Sequence, residues 1–274
     1  MFLLPHAGTR VIIGLQSPFL ETQMPTPKNN KASWLRGPIA PCSAAPQRRR
    51  HPFHIVLLGP PGVGKGTQAQ LLAQRVGACA LSTGDIFRTA CLLADCQRSP
   101  AMNEALRAMR GGKLVPDQTV LALIRERKSC LNCGGGFILD GFPRTVAQAQ
   151  SLDELLREFD IRLDAVIDFR CSAQELISRL SGRRVCPDCK AVFHITQRPP
   201  RTQGVCDSCG GALRQREDDL PDAIRVRLDA YTEQTTPLTH YYGQRGLLTP
   251  VDASGSPDEV LKQTIDALWT EVEV

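Results

Sequence analysis

A chain of 274 residues, 42% hydrophobic and 22% charged with 22 Gly and 20 Pro, fits one large core carrying smaller insertions; it does not fit a disordered, coiled-coil or collagen-like protein. The net charge of +5 sits at the front: in residues 1–50 seven basic residues (Arg10, Lys28, Lys31, Arg36 and Arg48–Arg50) meet one acid, Glu21, while the remaining 224 residues carry 26 basic and 27 acidic side chains. A body near neutrality argues against a broad nucleic-acid-binding face, and the absence of any apolar run of about 18 residues argues against a membrane span.

Residues 1–51 contain seven Pro and the basic run Arg48–Arg50, with little periodicity. They are expected to form a disordered extension. Three origins stay open: an Arg-rich targeting segment, a stretch ahead of a true start at Met24, or a genuine tail. From residue 52 onward short apolar runs alternate with amphipathic stretches, predicting one folded domain over 52–274. Strands are predicted at Ile55–Leu58, Ala78–Leu81, Phe137–Leu139, Ala165–Phe169 and Leu247–Val251. Helices are predicted at Gly64–Val76, Asp117–Arg127, Val146–Phe159, Ala173–Leu180 and Asp222–Thr232. Near-continuous apolar strands, each followed by a helix, predict an α/β fold with a parallel sheet covered on both faces. Two segments break the rhythm. Residues 84–115 read as a helical insertion and 185–215 as a small inserted module rich in Cys, Pro and Gly.

The first strand runs into Gly59-Pro60-Pro61-Gly62-Val63-Gly64-Lys65-Gly66-Thr67 and then a helix. Glycines let backbone N–H groups converge on phosphate oxygens, and the helix N-terminus adds partial positive charge. Lys65 is placed to reach the β- and γ-phosphates. Gly66 stands where a Ser or Thr is usual, so no hydroxyl there can ligate Mg²⁺. The strand Phe137–Leu139 ends in Asp140, a carboxylate suited to the nucleotide's Mg²⁺. Gly141-Phe142-Pro143-Arg144-Thr145 follows and brings a guanidinium to the same edge.

Among 11 Cys, Cys186-x2-Cys189-x16-Cys206-x2-Cys209 has the spacing of a structural zinc site. Two disulfides are the other reading. Cys91, Cys96, Cys130 and Cys133 form a second candidate zinc set joining two segments, whereas Cys42, Cys79 and Cys171 have no partner spacing.

Taken together, Gly59–Thr67, Ser82–Arg88, Asp140–Thr145 with Gln148, Gly182–Arg184 and Arg216–Asp219, in this order, resemble the motifs of the adenylate kinase family over residues 53–270. The resemblance implies a five-stranded phosphate-loop core, an insertion at about 82–115 that binds the nucleoside monophosphate, and a lid at about 182–219. It implies the reaction ATP + AMP ⇌ 2 ADP with Mg²⁺ on ATP, in a cytoplasmic monomer without nucleic-acid or membrane partners. By the same resemblance, Thr83, Arg88, Lys113, Leu114, Val115, Gly141, Phe142, Pro143, Arg144 and Gln148 match AMP contacts. Gly62, Val63, Gly64, Lys65, Gly66 and Thr67 match the ATP phosphate loop, and Arg179, Val192, Phe193 and Ser256 further ATP contacts. Arg183, Arg216 and Arg227 match positions around the transferring phosphoryl group, so Lys65, Arg88, Arg144, Asp140 and these three form the expected catalytic set. Kinases for UMP or CMP, or with GTP as donor, remain within the same class. A phosphate-loop protein whose zinc module binds nucleic acid is the reading from another class; the near-neutral body and few aromatics oppose it.

Overall fold

The computed structural model describes residues 52–90, 98–110, 115–127 and 131–272, with the backbone alone at 88, 89, 109, 110 and 269–272. The expectations placed on residues 1–51, Cys91, Cys96, Lys113, Leu114 and Cys130, and on the Arg88 side chain, lie outside the described residues.

β1 (Phe53–Leu58) is buried along its whole length. Its side chains alternate between two cores, as a period of two requires. Ile55 and Leu57 join Leu72, Val76, Ile167 and Phe169 on one face, while Val56 and Leu58 join Leu81, Ile86, Leu123 and Leu152 on the other. With β2 (Cys79–Ser82), β3 (Gly136–Asp140), β4 (Ala165–Arg170) and β7 (Leu248–Asp252) it forms a five-stranded sheet in the order β2-β3-β1-β4-β7. Every pairing is parallel. All five strands expected from the sequence are therefore present, with shifted ends. Because β3 and β4 flank β1 on opposite sides, the connections diverge at its C-terminal end and leave a crevice there.

Helix α1 (Lys65–Val76) follows the loop after β1, starting from Gly64, whose φ of 106° is the left-handed conformation that glycine adopts without strain. The helical insertion resolves into α2 (Thr83–Ala90) and α3 (Pro100–Arg110), followed by α4 (Asp117–Arg125). Side-chain oxygens cap the next two helices: Thr145 accepts from the Gln148 N–H at the start of α5 (Val146–Glu158), and Ser172 from the Glu175 N–H at α6 (Ala173–Gly182). The single helix expected over Asp222–Thr232 is instead α7 (Pro221–Ala230), a π turn (Tyr231–Thr235) and α8 (Pro237–Gly243). Pro237 has no N–H for a continuing α-ladder, and the Thr236 N–H reaches back five residues to the Tyr231 carbonyl at 3.0 Å. α9 (Pro257–Val272), which the sequence reading did not single out, closes the chain against β7 and α1.

Between α6 and α7 stands the cysteine module. β5 (Arg183–Val185) pairs antiparallel with β6 (Val192–His194). Its own core is three buried residues, Cys186, Phe193 and Cys206. The root of the module is a close approach: a Cβ on Gly182 would fall 2.1 Å from His194 Nε2. The imidazole is pinned there. Its Nδ1 accepts from the N–H groups of Gln197 (3.0 Å) and Thr196 (3.2 Å), which leaves Nε2 as the donor to the Ser178 carbonyl at 3.2 Å. Gly182→Ala should therefore displace the ring, lower the melting temperature by the equivalent of about 1–3 kcal/mol, and speed amide exchange across 183–216. Adding His194→Ala to that variant should recover part of the loss.

Candidate active site

The crevice at the end of β1 is lined first by the loop 59–64. Lys65 Nζ donates to the carbonyls of Gly59 (2.5 Å) and Pro60 (2.9 Å), curling the side chain back over the loop. No side chain caps α1, so the positive end of the helix dipole faces the same concavity. Asp140, at the end of β3, pairs in register with Leu57 of β1 and Ser82 of β2. Its Oδ2 lies 3.5 Å from where a Cβ on Gly66 would be, so the carboxylate overlies the first turn of α1. A hard divalent cation prefers such an oxygen donor beside a phosphate-binding loop. Asp140 fits Mg²⁺ at this place.

Three arginines reach the same space from separate elements. Arg144 follows β3, Arg183 opens β5, and Arg227 lies in the last turn of α7. Burial pushes the Lys65 ammonium from its usual 10.5 down to about 8; Asp140 opposes this, while the guanidiniums of Arg144, Arg227 and Arg183 press with it. The three guanidiniums thus lie close enough to Lys65 for their charges to act on it. Two of them are held by Asp219, which is wholly buried in the 3₁₀ turn Glu217–Asp219. It accepts from Arg183 Nε at 2.7 Å and NH2 at 2.5 Å, and from Arg227 NH1 at 3.1 Å. Arg227 also meets Asp218 Oδ2 at 3.1 Å. Arg216 heads the turn, its backbone carbonyl bonded by the Asp219 N–H. The sequence reading missed the role of Asp219; the signal was an acid embedded within an arginine-rich motif.

On the β2–β3 side, Thr83 is buried and its hydroxyl donates to the Gly141 carbonyl at 3.1 Å. Arg144 Nε donates to that carbonyl at 3.0 Å. Phe142 and Pro143 are buried and Val115 is half-buried. Gln148 is also buried, and its carboxamide bridges the Arg144 backbone N–H (2.7 Å) and Asp117 Oδ1 (2.6 Å). Asp117 was likewise not singled out, since a helix-opening acid is the ordinary expectation.

Arg179 braces the opposite wall. Its guanidinium donates to the carbonyls of Val63 (3.1 Å) and Ala253 (2.7 Å) and pairs with Glu175. Ser256 shares the oxygen Glu259 Oε2 through both its N–H and its hydroxyl, each at 2.8 Å, at the start of α9. Val192 and Phe193 lie on β6 of the cysteine module. There, the sulfurs of Cys186, Cys189, Cys206 and Cys209 all lie within 4.8 Å of one another. The contacts Cys186–Cys209 (3.4 Å) and Cys189–Cys206 (3.5 Å) far exceed a disulfide bond of about 2.05 Å. Both Cys-x-x-Cys turns have the same backbone pattern. Cys186 N–H bonds Ala191 and its carbonyl takes Lys190; Cys206 N–H bonds Gly211 and its carbonyl takes Gly210. Four convergent sulfurs on two matching turns can hold a metal ion.

A parallel sheet with a lysine-bearing glycine loop at its crevice, a facing carboxylate and converging guanidiniums defines a phosphate-loop phosphotransferase. The adenylate kinase family model matches residues 57–247. The chain is 46% identical to an adenylate kinase of Carboxydothermus hydrogenoformans over 214 residues, covering 78% of this chain and 98% of that protein. It is 49% identical to one of Acidothermus cellulolyticus over 216 residues (79% and 98%), and 49% identical to one of Moorella thermoacetica over 202 residues (74% and 91%). The chain belongs to the adenylate kinase family. Among the described residues, no helix is long and apolar enough to cross a membrane.

The lowered Lys65 ammonium has a measurable consequence. Its charge is present below about pH 8 and lost above it, so nucleoside triphosphate binding, followed calorimetrically without acceptor, should weaken as pH rises through about 8. Lys65→Met should bind weakly at every pH and flatten the profile. Stability moves the other way. Between about 8 and 10.5 the unfolded chain holds a proton that the folded chain has released, so the Lys65 contribution grows more favourable as pH rises.

Proposed function

We propose that this chain moves the terminal phosphoryl group of ATP to AMP, giving two ADP, with the two nucleotides end to end across the crevice. The observation carrying this reading is the meeting of Lys65, Arg144, Arg183 and Arg227 in one electrostatic environment. Two polyphosphates facing each other need that density of positive charge. In the reaction an oxygen of the AMP phosphate bonds to the γ-phosphorus, the γ-phosphorus loses its bond to the β–γ bridging oxygen, and that oxygen stays on the departing ADP. No protein nucleophile is required; catalysis is alignment and charge stabilisation. Mg²⁺ held near Asp140 would offset charge on the donor phosphates.

The roles are those that the resemblance to the adenylate kinase family implies. The donor phosphates lie in Gly62–Thr67, with Lys65 swinging from the Gly59 and Pro60 carbonyls to the β- and γ-oxygens. Arg88 and Arg144 clamp the AMP phosphate, with Thr83 and Gly141–Pro143 shaping its seat. Gln148 and the 113–115 segment take the acceptor base. Arg183, Arg216 and Arg227 surround the transferring group, where guanidinium donors stay charged and bind oxygen pairs. Arg179, Val192, Phe193 and Ser256 serve the donor side. The insertion at 82–115 and the lid at 182–219 close over the substrates and exclude water, which would otherwise accept the phosphoryl group.

Zinc is proposed for the four sulfurs of Cys186, Cys189, Cys206 and Cys209. A closed thiolate set leaves no open position, so the ion is structural. A core of three residues is too small to hold the lid by itself. A second zinc at Cys91, Cys96, Cys130 and Cys133 is proposed on spacing; Cys133 is buried in the core cluster that also holds Leu123 and Ile124. The cytoplasm, where thiols stay reduced, is the compartment such sites fit, and the working unit is taken to be a monomer.

Coupled ADP-release assays with ATP and each of AMP, CMP, UMP and GMP should show strong preference for AMP. Equal use of all four would refute the reading. Arg144→Ala should lower kcat about 10³-fold or more while the protein keeps its melting temperature and metal content. Cys206→Ser should lose one zinc per chain and the amide protection of residues 183–216, with the sheet still protected.

A further inference from the structure

The carboxamide of Gln148 presents oxygen on one side and NH₂ on the other, and the two ends are interchangeable in shape. Its chemical neighbours are not. The oxygen accepts the Arg144 backbone N–H at 2.7 Å, a group that can only donate. The NH₂ donates to Asp117 Oδ1 at 2.6 Å, a carboxylate that can only accept. Turning the amide over would set donor against donor and acceptor against acceptor, in a residue only 8% exposed. Thr145 Oγ1 accepts the Gln148 backbone N–H at 3.2 Å and fixes the root of the side chain. Gln148 is thus locked in one sense before any ligand arrives. One lone pair and one N–H remain to be spent.

We propose that Asp117 is the specificity-determining positioning residue of the acceptor site: it locks Gln148 so that the carboxamide accepts from an exocyclic amine and donates to a ring nitrogen. This rests on the reading of Gln148 as the acceptor-base contact. Adenine offers that pair, N6–H and unprotonated N1. Hypoxanthine, guanine and uracil offer the reverse, a carbonyl beside a ring N–H. Cytosine has the adenine polarity, and the span of the pocket rather than the lock must turn it away. A site built to pair polar atoms penalises the reversed pattern far more than it does a change of size. The Arg144 N–H contributes a neutral bond to the lock. Asp117 contributes the charge-assisted one, the stronger of the two.

The test compares AMP with IMP as acceptors, since their bases differ only at position 6 and the N1 proton. The wild-type chain should prefer AMP strongly by kcat/KM. Asp117→Asn keeps the shape, but its own amide can turn together with Gln148; Asp117→Ala removes the acceptor altogether. Both should raise the IMP:AMP ratio of kcat/KM about tenfold or more, with kcat for AMP within a few-fold of wild type. A helix-opening role alone would lower both acceptors equally. An unchanged ratio in both variants, or equal loss on AMP and IMP, overturns the role of Asp117 and leaves the AMP kinase reading standing. A wild-type chain that uses IMP as readily as AMP overturns the Gln148 assignment as well.

Discussion

Cations gathered in one cleft repel each other, and the fold has to hold them there before any phosphate arrives. Asp219 is the main answer. With no exposed surface, it spans the guanidiniums of Arg183 and Arg227, which come from opposite ends of the cysteine module. A buried carboxylate is costly by itself and is tolerated when its oxygens are fully paired. The two arginines supply that pairing, and in return their side chains are aimed. Asp140 offsets Lys65 in the same way from the far side of the loop. The carboxylates thus offset the gathered positive charge, and phosphate oxygens would compete with interactions already in place.

This arrangement depends on the sheet. Parallel strands in the order β2-β3-β1-β4-β7 bring Asp140 and the glycine loop to one edge, because consecutive crossovers put β3 and β4 on either side of β1. The cysteine module is built on different terms. It has almost no apolar interior and is rooted by the contact of His194 with Gly182. Its shape is set by turns and by the convergence of four sulfurs.

The strands and the phosphate loop were legible because fully buried strands leave unbroken apolar runs, and because a glycine loop between strand and helix has few other uses. Cysteine spacing likewise foretold the convergence of four sulfurs. Other features were hidden for physical reasons. The split of Pro221–Gly243 by a π turn depends on one missing N–H at Pro237, which a periodicity count passes over. Helix α9 opens just after Ser256, whose bonds to Glu259 are a local cap that no apolar periodicity announces. Asp117 and Gln148 are 31 residues apart, so their bond is a product of the fold.

The π turn at Tyr231–Thr235 carries one more consequence. A widened turn takes in an additional residue without completing another circuit, which rotates everything downstream by about 100° relative to an unbroken helix. Upstream, Arg227 reaches the carboxylate of Asp219; downstream, Leu238 and Tyr242 are sealed in the interior. A single straight rod would satisfy one of these azimuths and spoil the other. The bulge works as a phase shifter, letting one stretch of chain belong at once to a wet, charged surface and to a dry one.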